Sequence, residues 1–237
     1  MNNSESKIAV FGANGAIGYA FIKHYSDSTA YGMSRKKLDI NIKGVKNIII
    51  EHYDDENLSK IADNFENYSL DKIIISIGIL HNDGNYPEKR IDDFKKDQFN
   101  EIMHSNVVIP SLIVKHFHKK MRKDYPSIIA ILSARVGSIS DNRSGGWYSY
   151  RASKAGLNMI IKNLSIELRR TNKKLIVTGL HPGTVDSSLS RPFQKNIESS
   201  KLFSPDYSVS KLSSVIDSLS LSDSGKCYSW DGVEIFP

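Results

Sequence analysis

One cysteine, two tryptophans and seven prolines in 237 residues set aside several kinds of protein at once. A lone thiol at Cys227 closes no intramolecular disulfide, which excludes a stapled secreted scaffold and fits a reducing compartment. No apolar run approaches the ~20 residues that a bilayer-spanning helix needs, and charged residues make up 24% of the chain. The opening Met-Asn-Asn-Ser-Glu-Ser-Lys lacks the apolar stretch of a signal peptide, so a cytoplasmic location is expected. The net charge of +6 is dispersed among acids. Its densest cluster, Lys115, Lys119, Lys120, Arg122 and Lys123, reads as the solvated end of a helix rather than a nucleic-acid surface. The seven histidines carry no metal spacing. His116 and His118 fall on different sides of a helix, and His81, His104 and His181 lie in separate segments.

Strand and helix signals alternate along the chain. Residues 7–11, 30–34, 46–50, 72–77, 127–133, 174–180 and 226–229 read as strands, several apolar enough to be buried on both faces. Helical periodicity fills 19–25, 56–68, 95–123, 148–171 and 207–219. This order predicts an α/β fold: one domain over residues 1–237, with a doubly wound, mostly parallel seven-stranded sheet and ligands at the strands' carboxyl ends.

The first strand runs directly into Gly12-Ala-Asn-Gly15-Ala-Ile-Gly18 and then into a helix. A glycine-rich turn in that place lets the backbone approach a pyrophosphate, and the helix N-terminus attracts its charge. The glycines stand three apart, a different spacing from the G-x-G-x-x-G fingerprint.

Tyr150 and Lys154 lie four apart, on one face of a helix. An ammonium beside a phenol favours the phenolate and lowers a pKa of about 10, which suits a proton donor or acceptor near neutral pH. The same spacing recurs at Tyr19/Lys23, Tyr68/Lys72 and Tyr207/Lys211. Only Tyr150/Lys154 is expected to sit opposite the end of the fifth strand.

The glycine loop, Ser76-Ile77-Gly78 after the fourth strand, Asn106 in the long helix, a serine at the end of the fifth strand, Tyr150 with Lys154, and Pro182-Gly183-Thr184-Val185-Asp186-Ser187 after the sixth come in one order. In that order they resemble the short-chain dehydrogenase/reductase family, with its Rossmann fold, over nearly the whole chain. The segment 138–148 and the tail Trp230-Asp231-Gly232-Val233-Glu234-Ile235-Phe236 are similar to the subgroup related to the C-factor cell-signalling proteins. The resemblance implies an oxidoreductase that moves hydride between a nicotinamide and a carbonyl or alcohol of a small molecule. It implies Tyr150 as general acid, Lys154 on the nicotinamide ribose, and Asn106 holding a water that links Lys154 to solvent. Gly12, Asn14, Gly15, Ile17, Gly18, Gly78, Pro182, Gly183, Val185 and Ser187 are implied as further cofactor contacts. A homodimer or homotetramer built on the two long helices is implied as well. The alternative is a nucleotide-binding signalling protein with little turnover.

The serine departs from the family pattern. Within Leu132-Ser133-Ala134-Arg135-Val136-Gly137-Ser138, counting back from Gly137 puts Ala134 in the catalytic slot. Successive strand residues point to opposite faces, so one residue matters. Ser133 is the expected catalytic serine; Ser138 from the next loop, or no serine, are the other readings.

After the second strand comes Ser34-Arg35-Lys36-Lys37, with no acid before Asp39. Ser34 and Arg35 suit a 2′-phosphate, where an NAD enzyme offers Asp or Glu. NADP is therefore expected over NAD. Glu51 or Asp54 is expected near the adenine. Residues 184–204 form the expected substrate loop, with Leu189, Phe193 and Leu202 as apolar wall and Arg191 for an acidic substrate group.

Overall fold

The computed structural model describes residues 6–39, 42–82 and 84–237. In chain order the strands and helices are β1 (Lys7–Phe11), α1 (Ala16–His24), β2 (Thr29–Ser34), β3 (Val45–Ile49), α2 (Asp55–Asp63), β4 (Lys72–Ile75), α3 (Lys96–Met103), α4 (Ile109–Phe117) and β5 (Ser127–Leu132). There follow α5 (Tyr148–Leu168), β6 (Leu175–His181), β7 (Thr184–Val185), β8 (Leu202–Phe203), α6 (Pro205–Ser218), β9 (Cys227–Ser229) and β10 (Glu234–Ile235). The main sheet has the order β10-β9-β6-β5-β4-β1-β2-β3, parallel except for β10 against β9. The chain winds from β1 outward to β3, then crosses back to β4 on the other side of β1. The β1/β4 boundary is therefore a topological switch point, where a doubly wound sheet opens a crevice at its carboxyl edge.

Strand alternation sorts the core into two layers. Ala9, Phe11, Ile129, Ile131 and Val177 pack with Phe117, Leu157 and Ile161 on one face. Val10, Ile74, Ala130, Leu132 and Ile176 pack with Phe21, Ile22, Leu212 and Ile216 on the other. Each fully buried Leu, Ile or Phe contributes roughly 1.5–3 kcal/mol. Helices on both sides cover the central strands β1, β4, β5 and β6, which is why they read as nearly continuous apolar runs, while edge strand β3 keeps exposed residues.

Three expectations are corrected. The sheet has eight strands: Glu234–Ile235 folds back on β9 through the Asp231-Gly232 turn, with Gly232 at φ +82°, and two residues are too few to show a pattern. The helix expected over 95–123 is broken by a π-helical turn at His104–Val108. Pro110, in the first turn of α4, has no N–H to return to the carbonyl four residues back, which favours a wider turn there. Finally, α2 ends at Asp63, and Tyr68 adopts a left-handed backbone (φ +61°) ahead of β4.

Candidate active site

The glycine loop is shaped by close packing. Gly12 has φ +80°, and a Cβ there would stand 2.9 Å from the Ser76 hydroxyl. A Cβ on Gly18 would lie 2.2 Å from the Gly12 carbonyl, so α1 presses directly on the loop. Gly15 caps α1 without a side-chain hydrogen bond, and its N–H closes the turn on the Gly12 carbonyl at 2.9 Å. Gly12, Asn14 and Gly15 line a cleft of about 720 Å³ with Ser34, Arg35, Lys36, Tyr53, Ser76, Gly78 and Glu101. That volume accommodates a cofactor-sized ligand. Asn14 Nδ2 and the Ser34 hydroxyl both donate to the Lys36 carbonyl, at 2.7 and 2.6 Å, which fixes the turn bearing Arg35. Ile17, expected as a cofactor contact, is partly buried, with its side chain against the α1/α6 side of the core.

The wall beyond β3 differs from expectation. Asp54 caps α2, accepting from Asn57 N at 2.8 Å, and Glu51 is exposed. Tyr53 lines the cleft in their place. Burial pushes its phenol up to about 12 against the lowering effect of Arg35. A tyrosine among acids offered no sequence signal beyond its place after the third strand.

Tyr150 sits in the first turn of α5, in an apolar cluster with Leu80, Ile102 and Ala134. Burial alone raises its phenol well above the usual value. This corrects the expected direction: the Lys154 ammonium, 5.7 Å from the ring centroid, does not offset the loss of water. Lys154 donates to the Leu132 carbonyl at 2.9 Å, and burial brings it down to about 8. Gly137 admits this contact between the loop after β5 and α5, since a Cβ there would meet the Lys154 backbone at 2.8 Å.

Asn106 is fully buried in the π-helical turn. Its Oδ1 accepts from Ile79 N at 2.7 Å, and its Nδ2 donates to the Ile79 carbonyl and the Ser153 hydroxyl, both at 2.9 Å. The amide thus stitches the segment after β4 to α5. It approaches Lys154 across Gly78, where a Cβ would stand 3.0 Å from Asn106 Oδ1 and 3.4 Å from Lys154 Nζ.

The expected serine is not at Tyr150. The Ser133 hydroxyl donates to Asn158 Oδ1 at 2.6 Å, and Ser138 accepts from Asp141 N at 3.1 Å. Ala134 occupies the place against Tyr150, as the count from Gly137 implied. Strand alternation is the reason: Ser133 continues the face of Ile129 and Ile131 toward α5.

After β6, Gly183 (φ +75°) lies so close to Phe203 that a Cβ would stand 2.6 Å from its ring. Pro182 accepts from the Ser208 hydroxyl at 2.7 Å, and Val185 is buried in the short β7/β8 pair. The Ser187 hydroxyl donates to the Val185 carbonyl at 3.3 Å. The loop contains β7, β8 and 3₁₀ turns at Arg191–Asn196 and Ser199–Lys201. It docks over the site, with Phe193 5.2 Å from the Trp147 ring and 5.7 Å from His81. His81 Nε2 lies 3.1 Å from the Leu189 carbonyl, and the Trp147 and Tyr150 rings are 6.3 Å apart. His181, at the end of β6, is brought down to about 4 chiefly by burial and is neutral.

The chain is similar to several known proteins. The chain is 36% identical over 107 residues to the C-signal of Myxococcus xanthus, covering 45% of this chain and 59% of that one. It is also 36% identical over 104 residues to 1-hydroxy-2-glutathionyl-2-methyl-3-butene dehydrogenase of Rhodococcus sp. (strain AD45), 44% of each chain. The matches span about half the length of these two relatives. The fold superimposes on NADPH-bound carbonyl reductase from chicken fatty liver with a TM-score of 0.80 at 22% identity, over 98% of this chain and 99% of that one. A family model described as short chain dehydrogenase matches residues 6–198, and the chain belongs to that family.

Proposed function

We propose that the protein is an NADP-dependent oxidoreductase acting on a carbonyl or alcohol of a small molecule, with reduction of the carbonyl as the favoured direction. One observation carries the reading: the glycine-loop cleft extends to Gly78, directly behind which lie the buried Asn106 and Lys154, one helical turn from Tyr150. The residues fit a dinucleotide. Gly12 and Gly18 leave no room for side chains, Arg35 and Lys36 line one end of the cleft, and Ser76 and Gly78 line its floor. Gly12, Asn14, Gly15 and Arg35 would hold its phosphates, and Lys154 its nicotinamide ribose. When bound, the cofactor supplies or accepts a hydride.

The chain's own residues manage the proton. Burial keeps the Tyr150 phenol protonated, so it is set to donate to a carbonyl oxygen as negative charge develops there. Lys154 stays mostly cationic at neutral pH and stabilises that charge from the next turn. With Ala134 beside the phenol, Tyr150 is left as the donor to the carbonyl, without a serine partner. Trp147, Phe193, Tyr86 and His81 form a ring-lined wall over the site, which favours a substrate with an apolar or aromatic group next to its carbonyl.

NADPH and NADH titrations, read by fluorescence or thermal shift, test the cofactor without a known substrate. Arg35→Ala is expected to weaken NADPH roughly 10- to 100-fold, the usual cost of a lost hydrogen bond to charge, and to leave NADH nearly unchanged. Equal affinity of the wild type for both cofactors removes the argument from Arg35.

A signalling protein with little turnover is a second reading, favoured by Ala134 and the C-signal similarity. NADPH binding without reduction of any member of an aromatic and aliphatic carbonyl panel would support it.

A further inference from the structure

Glu88 is 1% exposed, and proton transfer at Tyr150 does not call on it. It lies in Pro87-Glu88-Lys89-Arg90, between β4 and α3. Among the described residues its hydrogen bonds reach the start of α5. The carboxylate accepts from Ser149 N at 3.2 Å, 61 positions along the chain, and from the Ser149 hydroxyl. Its backbone carbonyl accepts from Trp147 N at 2.5 Å.

Helix α5 needs such a partner. Its cap position is Trp147, in the left-handed region (φ +51°), with no side-chain cap and no acid in the first turn. A helix start leaves N–H groups without acceptors and carries partial positive charge. Glu88 supplies both missing elements from outside the helix: an acceptor for an orphan N–H and a negative charge at the positive end. A carboxylate this buried is costly unless it is hydrogen-bonded, so its placement against Ser149 is specific. Gly146 allows the approach, since a Cβ there would stand 3.3 Å from the Glu88 carbonyl. Residues 139–145 just before it are largely exposed and give the helix no support of their own.

The contact brackets the proton donor. Ser149 immediately precedes Tyr150, and Trp147 packs on both Tyr150 and Phe193. One turn later Ser153 accepts from Asn106, which holds Ile79 by both backbone groups. Ile79 and Glu88, which flank His81 and Tyr86 in the chain, are therefore fastened to α5 on either side of Tyr150.

We propose that Glu88 is a positioning residue that caps α5 in trans and fixes Tyr150 and Trp147 for proton donation. The catalytic half of this proposal rests on the reading of Tyr150 above; the cap itself does not. Full-length wild type, Glu88→Ala, Glu88→Gln and Ser149→Ala are compared with NADPH bound, by backbone hydrogen exchange and by carbonyl reduction. Glu88→Ala should speed exchange at residues 147–152 roughly tenfold while strands β5 and β6 stay protected. It should lower kcat roughly 10- to 100-fold, the order expected from a misplaced catalytic group, with NADPH affinity unchanged. Glu88→Gln keeps an acceptor for Ser149 N and should remain within about threefold of wild type in both readouts, with Ser149→Ala between the two. Unchanged exchange at 147–152 in Glu88→Ala overturns the proposal. If that variant unfolds, Glu88→Gln decides: retention of both readouts supports the cap, and loss overturns it. A wild type that binds NADPH but reduces no carbonyl refutes the reading of Tyr150, and the exchange data then decide the cap alone.

Discussion

The Ser133 hydroxyl donates to Asn158 Oδ1 at 2.6 Å, while Ala134, the next residue, lies against Tyr150. Ser133, just after β5, thus serves the packing of α5, and the position beside the phenol carries a methyl group. Ser133→Ala is expected to change turnover by less than about threefold. It should cost about 1–3 kcal/mol of stability, because Asn158 loses a buried donor. Ala134→Ser places a second hydroxyl beside Tyr150 and should raise kcat/KM for carbonyl reduction. Steady-state kinetics with denaturant melts check both. A Ser133→Ala enzyme that has lost orders of magnitude in rate returns the catalytic role to Ser133.

Lys154 gives the site its pH dependence. Its pKa is brought down by burial to about 8 from 10.5, so it loses its charge as pH rises through 8. The Tyr150 phenol is raised and stays protonated there. The kcat/KM for reduction should therefore be flat below pH 8 and fall above it. For stability the sign is opposite. Between about pH 8 and 10.5 the unfolded chain binds a proton at this lysine that the folded chain does not, so this group's contribution rises with pH across that window. Below pH 8 the buried cation is a net cost, on the order of 3 kcal/mol by the same shift. Lys154→Met should abolish most turnover yet unfold at a higher temperature at pH 7. A rate profile that holds level through pH 9 contradicts the assignment.

Much of the site was legible because its parts are local in sequence. The three glycines, the Tyr150/Lys154 spacing and Ser34-Arg35-Lys36 each occupy a few consecutive residues, and the parallel strand order brings the loops that follow the strands to the carboxyl end of the sheet. The count that placed Ala134 at Tyr150 succeeded for the same reason. What stayed hidden is long-range. Asn106 was visible as a residue, but its pairing with Ile79 and Ser153 depends on a π-helical turn that helical periodicity does not report. Tyr53 at the cleft and Glu88 at the start of α5 are joined to the site only by tertiary packing. Ile17 follows the glycine loop, and its partial packing against the α1 side of the core is likewise set by tertiary structure.

Assembly on α4 and α5 is a proposal with a narrower footing than the helix sequences suggested. Leu157 and Ile161 are buried against the sheet, and a Cβ on Gly156 would touch Met103 and Val107 at 3.8 Å. Those apolar residues are used within the chain. Met159 and Ile166 on α5 remain exposed, with Val108 before α4, and exposed apolar faces of this kind suit a second copy. Light scattering at micromolar concentration should show a dimer or tetramer, and Met159→Lys with Ile166→Lys should yield monomer. A wild-type monomer at that concentration removes the proposal.

The last prediction concerns the loop over the site. Phe193 anchors it through ring contacts with Trp147, His81 and Tyr86, at centroid distances of 5.2, 5.7 and 6.4 Å. The Leu189 carbonyl at His81 adds one polar contact. Ring pairs of this kind are worth about 0.5–1.5 kcal/mol each beyond their burial. Phe193→Ala removes three, so the loop should open by a free energy that raises KM for a carbonyl substrate roughly tenfold or more. Tyr150 keeps its place on α5, and kcat should fall less than KM rises. Limited proteolysis adds a readout independent of substrate. Cofactor should protect residues 186–200 of the wild type from cleavage, and Phe193→Ala should be cut there in both states. Equal cleavage of the wild type with and without NADPH would mean that the docked loop does not respond to the cofactor.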